Sequence, residues 1–245
     1  MNRISKFATI IIAMSLFGYI VFSFYIFKDM KRVDVCEGLI IVVKDSLEKN
    51  FVTEADLTSL LKRDNLYPVE KQMKDINTNE IEESLLKNEM IANIEVYKTP
   101  SRKIKLLIEQ KRPILRVMGV NGSFYVDEKG TIMPVSNRYV AHVPLASGYI
   151  ERELSVGDLY HFALFLQRDK FWDAQIDQIY VHPNGDIELT PRVGNHKILL
   201  GTFEDYREKL DNLRLFYDKV IPKMGWEKYS IINLKYKNQI VCTKR

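Results

Sequence analysis

Cysteine is scarce: the 245 residues contain two, Cys36 and Cys242. Two cannot build the multi-bridge framework of a small disulfide-stapled domain. Outside the cytoplasm the pair permits one disulfide, with two free or buried thiols as the alternative. An extended chain would carry the two beyond the ~7 Å Cα separation that a bridge tolerates. Glycine (11) and proline (8) are also few, which excludes collagen-like and low-complexity character. Of the four histidines, His142, His161, His182 and His196, no two stand at HExxH or HxH spacing, so no metal site is signalled. GxSxG, GxxxxGK[ST] and GxGxxG are all missing. Without them there is no sign of a hydrolase elbow, a phosphate loop or a dinucleotide fingerprint, and no cofactor is implied. The net charge of +4 is spread along the chain, with no basic stripe interleaved with aromatics. That argues against nucleic acid as a partner.

What is present begins with residues 7–27, FATIIIAMSLFGYIVFSFYIF, which hold no charge and no proline. At ~1.5 Å per residue such a run, as a helix, reaches ~30 Å and predicts one transmembrane span. Arg3 and Lys6 precede it and Lys28, Lys31 and Arg32 follow. Tyr19, Phe24 and Tyr25 suit the lipid–water interface. A cleaved signal peptide is the alternative, but its apolar region is shorter and ends at small residues. This run ends Ser-Phe-Tyr-Ile-Phe-Lys. The expected layout is a head at 1–6, an uncleaved span at 7–27, and a large part from 33 onward on one side of the membrane.

Beyond the span, residues 33–43 end in a β-branched run that reads as a strand. Thr53 and Asn77 are N-cap residues ahead of two short helices with leucine and isoleucine at helical spacing. Two alternating runs, 94–98 and 103–109, flank Thr99-Pro100-Ser101 and read as a hairpin. Residues 33–111 therefore predict one β-α-α-β-β unit. Arg112-Pro113 closes it, because proline restricts the residue before it. Residues 112–245 alternate short strands with turn signals and two helical stretches, 158–169 and about 202–221. Terminal strands are expected over 230–236 and 239–243. The fold class is α+β, the second unit a mostly antiparallel sheet with two helices.

Paired carboxylates can act as acid and base, and Asp177, Asp186 and Glu188 flank the 176–189 hairpin. Alternating charges on the wet face of a hairpin explain them as well, and that reading is taken. His161 sits beside Phe162 in a helix and reads as structural. Trp172 and Trp226 read as packing residues, Trp226 also as an interface anchor.

Residues 122–130, GSFYVDEKG, and Val143-Pro144-Leu145 with Gly148 resemble the G…YVD..G hairpin and the LP…G element of the FtsQ/DivIB family of bitopic bacterial cell-division proteins. Leu200-Gly201 ahead of the Lys209-Leu210 helix is similar to another recurring segment. Ile232-Asn233-Leu234-Lys235-Tyr236 followed by Val241 resembles its (I/V)DLRY…V ending, with Asn233 where Asp is common. Residues 35–110 look like its membrane-proximal POTRA domain.

The resemblance implies a non-enzymatic scaffold of the inner membrane at the division site, its amino terminus cytoplasmic and its bulk outside. It implies that terminal strands receive a strand from partners of the FtsB/FtsL (DivIC/FtsL) type. Carried over residue by residue, it points to Tyr236, Asn238 and Gln239, and further to Val241 and Trp226. Tyr236 and Val241 also read as core-facing strand residues. A membrane-anchored extracytoplasmic hydrolase and a POTRA-type chaperone component remain the rival functions.

Overall fold

The computed structural model describes residues 12–23, 25, 34–44, 51–120 and 122–245. Residues 12–23 are helical, with Phe17 and Tyr19 about 70% exposed. Among the described residues no helix is long and apolar enough to cross a membrane. The ends of the 7–27 run lie outside the described residues, as does the head at 1–6.

The first unit has the expected order: β1 (Gly38–Val43), α1 (Glu54–Arg63), α2 (Thr78–Leu86), β2 (Ile91–Lys98) and β3 (Lys103–Gln110). β3 is central, parallel to β1 and antiparallel to β2. Alternation decides its faces: Ile104, Leu106 and Ile108 are fully buried with Leu57, Leu61, Ile81 and Leu85 of the helices. Both expected caps form. Thr53 Oγ1 accepts from Asp56 N at 3.3 Å while Asp56 Oδ2 accepts from Thr53 N at 3.1 Å, a reciprocal capping box. Asn77 Oδ1 accepts from Asn79 N and Glu80 N.

The second unit is a nine-stranded sheet in the order β12-β11-β10-β9-β8-β7-β4-β5-β6. Its strands are β4 (Pro113–Gly119), β5 (Gly122–Asp127), β6 (Ile132–Pro134), β7 (Leu145–Gly148), β8 (Ile176–Val181), β9 (Ile187–Pro191), β10 (Lys197–Gly201), β11 (Tyr229–Asn233) and β12 (Val241–Lys244). Antiparallel pairing prevails, but β4–β7, β7–β8 and β10–β11 are parallel. One row of side chains runs across seven strands: Val117, Ala146, Ile179, Leu189, Ile198, Ile232 and Cys242 are register neighbours. This row forms the floor of the core, which α4 (Asp158–Arg168) and α6 (Tyr206–Lys219) cover with Leu159, Phe162, Leu166, Leu210 and Leu213.

Short helices were not foreseen: α3 (Arg152–Val156), α5 (Lys170–Gln175) and α7 (Ile221–Met224), with a 3-10 turn over Trp226–Lys228. Nor does 202–205 cap α6 through a side chain. Asp205 is left-handed (φ 51) and makes no capping bond. The two units share a core, because Tyr125 and Met133 of the second pack with Phe51 of the first.

A candidate partner-binding edge

Among the described residues β12 is bonded on one side only, to β11, and so ends the long sheet. The expected terminal strands are shorter than read: β11 stops at Asn233 and β12 starts at Val241. Tyr236, Asn238 and Gln239 therefore lie in the connection between strands and not on them. The parallel ladder with β10 ends where Leu234 N donates to Leu199 O at 2.8 Å. Local bonds then turn the backbone, Lys235 N donating to Asn233 Oδ1 at 3.0 Å and Gln239 N to Tyr236 O at 3.3 Å. Asn238 takes the left-handed region (φ 59), which asparagine tolerates better than most residues.

The core-facing reading of Tyr236 and Val241 is corrected. Tyr236 is 56% exposed and Val241 44%. Strand alternation places Val241 and Thr243 opposite Cys242, which belongs to the buried row. Trp226 stands apart from the other expected contacts. It is half-buried, packed at 5.1 Å from the ring of Tyr217 and stacked on His196 at 6.0 Å.

The connection walls a cleft of about 290 Å³, closed on the other side by the start of α6. Asp186, Glu204, Glu208, Lys209, Lys235 and Tyr236 are among its lining. Lys235 Nζ meets Asp186 Oδ2 at 2.5 Å, and this bond holds the Asp186 carboxyl below its ordinary 3.8. Burial lowers the Lys209 ammonium, whose Nζ donates to Thr202 O at 3.2 Å. The cleft thus carries one ion pair, Asp186–Lys235, with the exposed Tyr236 in its lining.

At its far end β12 is pinned. Arg245 N donates to Lys228 O at 3.2 Å and Arg245 Nη1 meets Glu227 Oε2 at 2.6 Å. Its other terminal nitrogen donates to Asn195 O. No local pattern announces this anchor, since its members are separated by up to 50 positions.

The carboxylates weighed for catalysis are each engaged: Asp177 with Arg192 at 3.3 Å, Asp186 with Lys235, and Glu188 with Lys197 at 2.8 Å and His182 at 3.5 Å. Asp177 and Glu188 lie on β8 and β9, whereas Asp186, in the turn between these strands, lines the cleft with its partner Lys235. Among the described residues no three His, Cys, Asp or Glu gather as metal ligands. Cys36 and Cys242, which left a bridge open, are both free. Cys36 is buried in the first unit's core and Cys242 packs against the second.

Compared with known families, residues 34–109 match the model of a POTRA-like domain, and residues 112–243 match that described as FtsQ/DivIB, C-terminal related. Among curated proteins none matches the chain. Since the second match alone takes in more than half of the 245 residues, the chain belongs to the FtsQ/DivIB family of cell-division proteins.

Proposed function

We propose that this protein is a non-enzymatic division scaffold that captures FtsB/FtsL (DivIC/FtsL)-type membrane partners by strand addition to β12, and so links them to septal wall synthesis. The observation that carries the reading is the open edge of β12 beside the exposed Tyr236. An added strand supplies main-chain hydrogen bonds, and the cleft beside it selects side chains. An outer strand of the first unit, β2, differs: its Val96 N–H is already taken by Glu82 Oε1 at 2.7 Å. Edge strands are commonly blunted in this way when they are not used. Residues 7–27 serve as the membrane anchor. The helix over 12–23, with its apolar side chains largely exposed among the described residues, supports that part.

The test is binding of the full chain in detergent to the extracytoplasmic segments of FtsB- and FtsL-like proteins, beside a Tyr236→Glu variant checked for folding by circular dichroism. Saturable binding lost in the folded variant supports the reading. Binding that survives moves the site off this edge. Absence of binding to every such segment reopens the hydrolase and chaperone alternatives.

A further inference from the structure

The end of β12 is held by a buried histidine–aromatic cluster that the proposed contact surface does not use. His196 is 3% exposed and its Nε2 lies 2.7 Å from Tyr217 Oη. The Trp226 ring stacks on the imidazole at an interplanar angle of 14°. Gly194 (φ +87) approaches both rings so closely that a Cβ there would stand 2.7 Å from His196 Nδ1 and 3.0 Å from Trp226. Trp226 leads into the 3-10 turn that carries Glu227 and Lys228, the two residues gripping Arg245. Asn195, which takes the remaining Arg245 bond, is the residue next to His196.

We infer that His196, Tyr217, Trp226 and Arg245 form a proton-sensitive anchor that positions β12 for its partner, so that Trp226 is a positioning residue and not a contact. The inference rests on β12 being the binding edge. Its physical content is a cost of charge. A second ring proton would place a cation in a site that is 3% exposed and holds a phenol against Nε2. It would also add an imidazolium to the charge of the Arg245 guanidinium. The charged groups bearing on the ring are Arg245 from the end of β12 and Glu227 from the 3-10 turn. From α6 there is the Tyr217 phenol, which burial keeps protonated.

Burial first, then Arg245, holds His196 below its ordinary 6.5, with Glu227 opposing. For a base depressed on folding the sign follows directly. The anchor is at full strength above pH 6.5 and weakens as the pH falls below it. Release of Arg245 frays β12 while the other six strands of the row stay packed.

Hydrogen–deuterium exchange on the full chain, without any partner, tests this, with protection corrected for intrinsic pH dependence. Amides of β12 and of the Trp226–Lys228 turn should lose up to about tenfold protection per pH unit below 6.5. Those of β8 and β9 should not. His196→Gln, which keeps a neutral hydrogen-bonding side chain, should retain neutral-pH protection of β12 and abolish its acid loss. Arg245→Ala should lower β12 protection at every pH, and Arg245→Lys should restore part of it. Equal acid loss in β8 and β12, or none in either, overturns the inference. So does an unchanged pH profile in His196→Gln. Should that variant fail to fold, the strand-by-strand profile of the unaltered chain decides alone. Because no partner is present, these outcomes are separate from those of the binding experiment.

Discussion

Arg138 Nη1 stands 2.5 Å from Asp56 Oδ2 and so ties the β6–β7 connection of the second unit to the first turn of α1. Asp56 is shared, since the same oxygen closes the Thr53 capping box. Around this pair Phe51 meets Tyr139 edge-on at 4.7 Å and Tyr125 at 6.2 Å. Tyr125 Oη accepts from Ala141 N at 3.3 Å. A cap within one unit is therefore part of the joint between the two.

Asp56→Ala should cost more than Arg138→Ala. The first removes a cap worth about 1 kcal/mol together with the ion pair. The second removes only a half-exposed pair worth about 0.5 kcal/mol. The coupling in a double-mutant cycle from urea unfolding should stay below about 1 kcal/mol. Burial raises the Asp56 carboxyl, but the Thr53 and Arg138 bonds outweigh it and hold it below 3.8. A depressed acid stabilises above its unfolded pKa, so this contribution should fade below pH 3.8 and vanish in the Asp56→Ala background.

The elements with local signals were legible in the sequence. Thr53 and Asn77 announce their helices because a cap is a bond within three residues, and the β2–β3 hairpin follows from alternation across a proline turn. Strand pairings at long range were not. Nothing in residues 145–148 says that β7 lies parallel between β4 and β8, since that register is settled by packing of Ala146 between Val117 and Ile179. The candidate site was half legible. The terminal edge could be read, whereas the turn that carries Tyr236 and Gln239 is closed by the Asn233–Lys235 and Tyr236–Gln239 bonds, which strand alternation does not announce. Gln110 illustrates a residue that pattern reading missed altogether, being polar in an otherwise alternating strand.

Gln110 is 4% exposed, and its Oε1 accepts from both Phe51 N and Val52 N at 3.0 Å. One side chain thus satisfies two buried donors at the lead into α1. Gln110→Leu preserves volume but strands both, at about 1–3 kcal/mol for each unsatisfied group. We expect a loss of roughly 2–4 kcal/mol by chemical denaturation, well beyond that of Lys111→Leu next to it. Equal costs at the two positions would sink this account.

Gly148 closes β7 at φ +104, and a Cβ there would stand 2.2 Å from Val181 O. That carbonyl also receives Tyr149 N at 2.9 Å. Two penalties add in Gly148→Ala, a left-handed backbone at about 1–2 kcal/mol and a clash with main chain that cannot rotate aside. Thermal unfolding should show a loss greater than about 2 kcal/mol. Gly185→Ala has a similar φ of +85 but open space around it, so it should lose only the backbone part.

Asn233 occupies the position where the family ending commonly has aspartate, and its Oδ1 accepts from Lys235 N at 3.0 Å. Either residue supplies that acceptor, so Asn233→Asp should keep the turn. The added charge falls near Lys235, which already engages Asp186, and global stability should change by less than about 0.5 kcal/mol. Asn233→Ala removes the acceptor and should cost about 1 kcal/mol. Because the bond sits at the entry to the 234–240 connection, the alanine variant should also loosen Tyr236 at the cleft rim. Partner affinity should then fall more than stability does, and Asn233→Asp should restore it. Equal affinity in all three proteins would show that the turn does not position Tyr236 for binding.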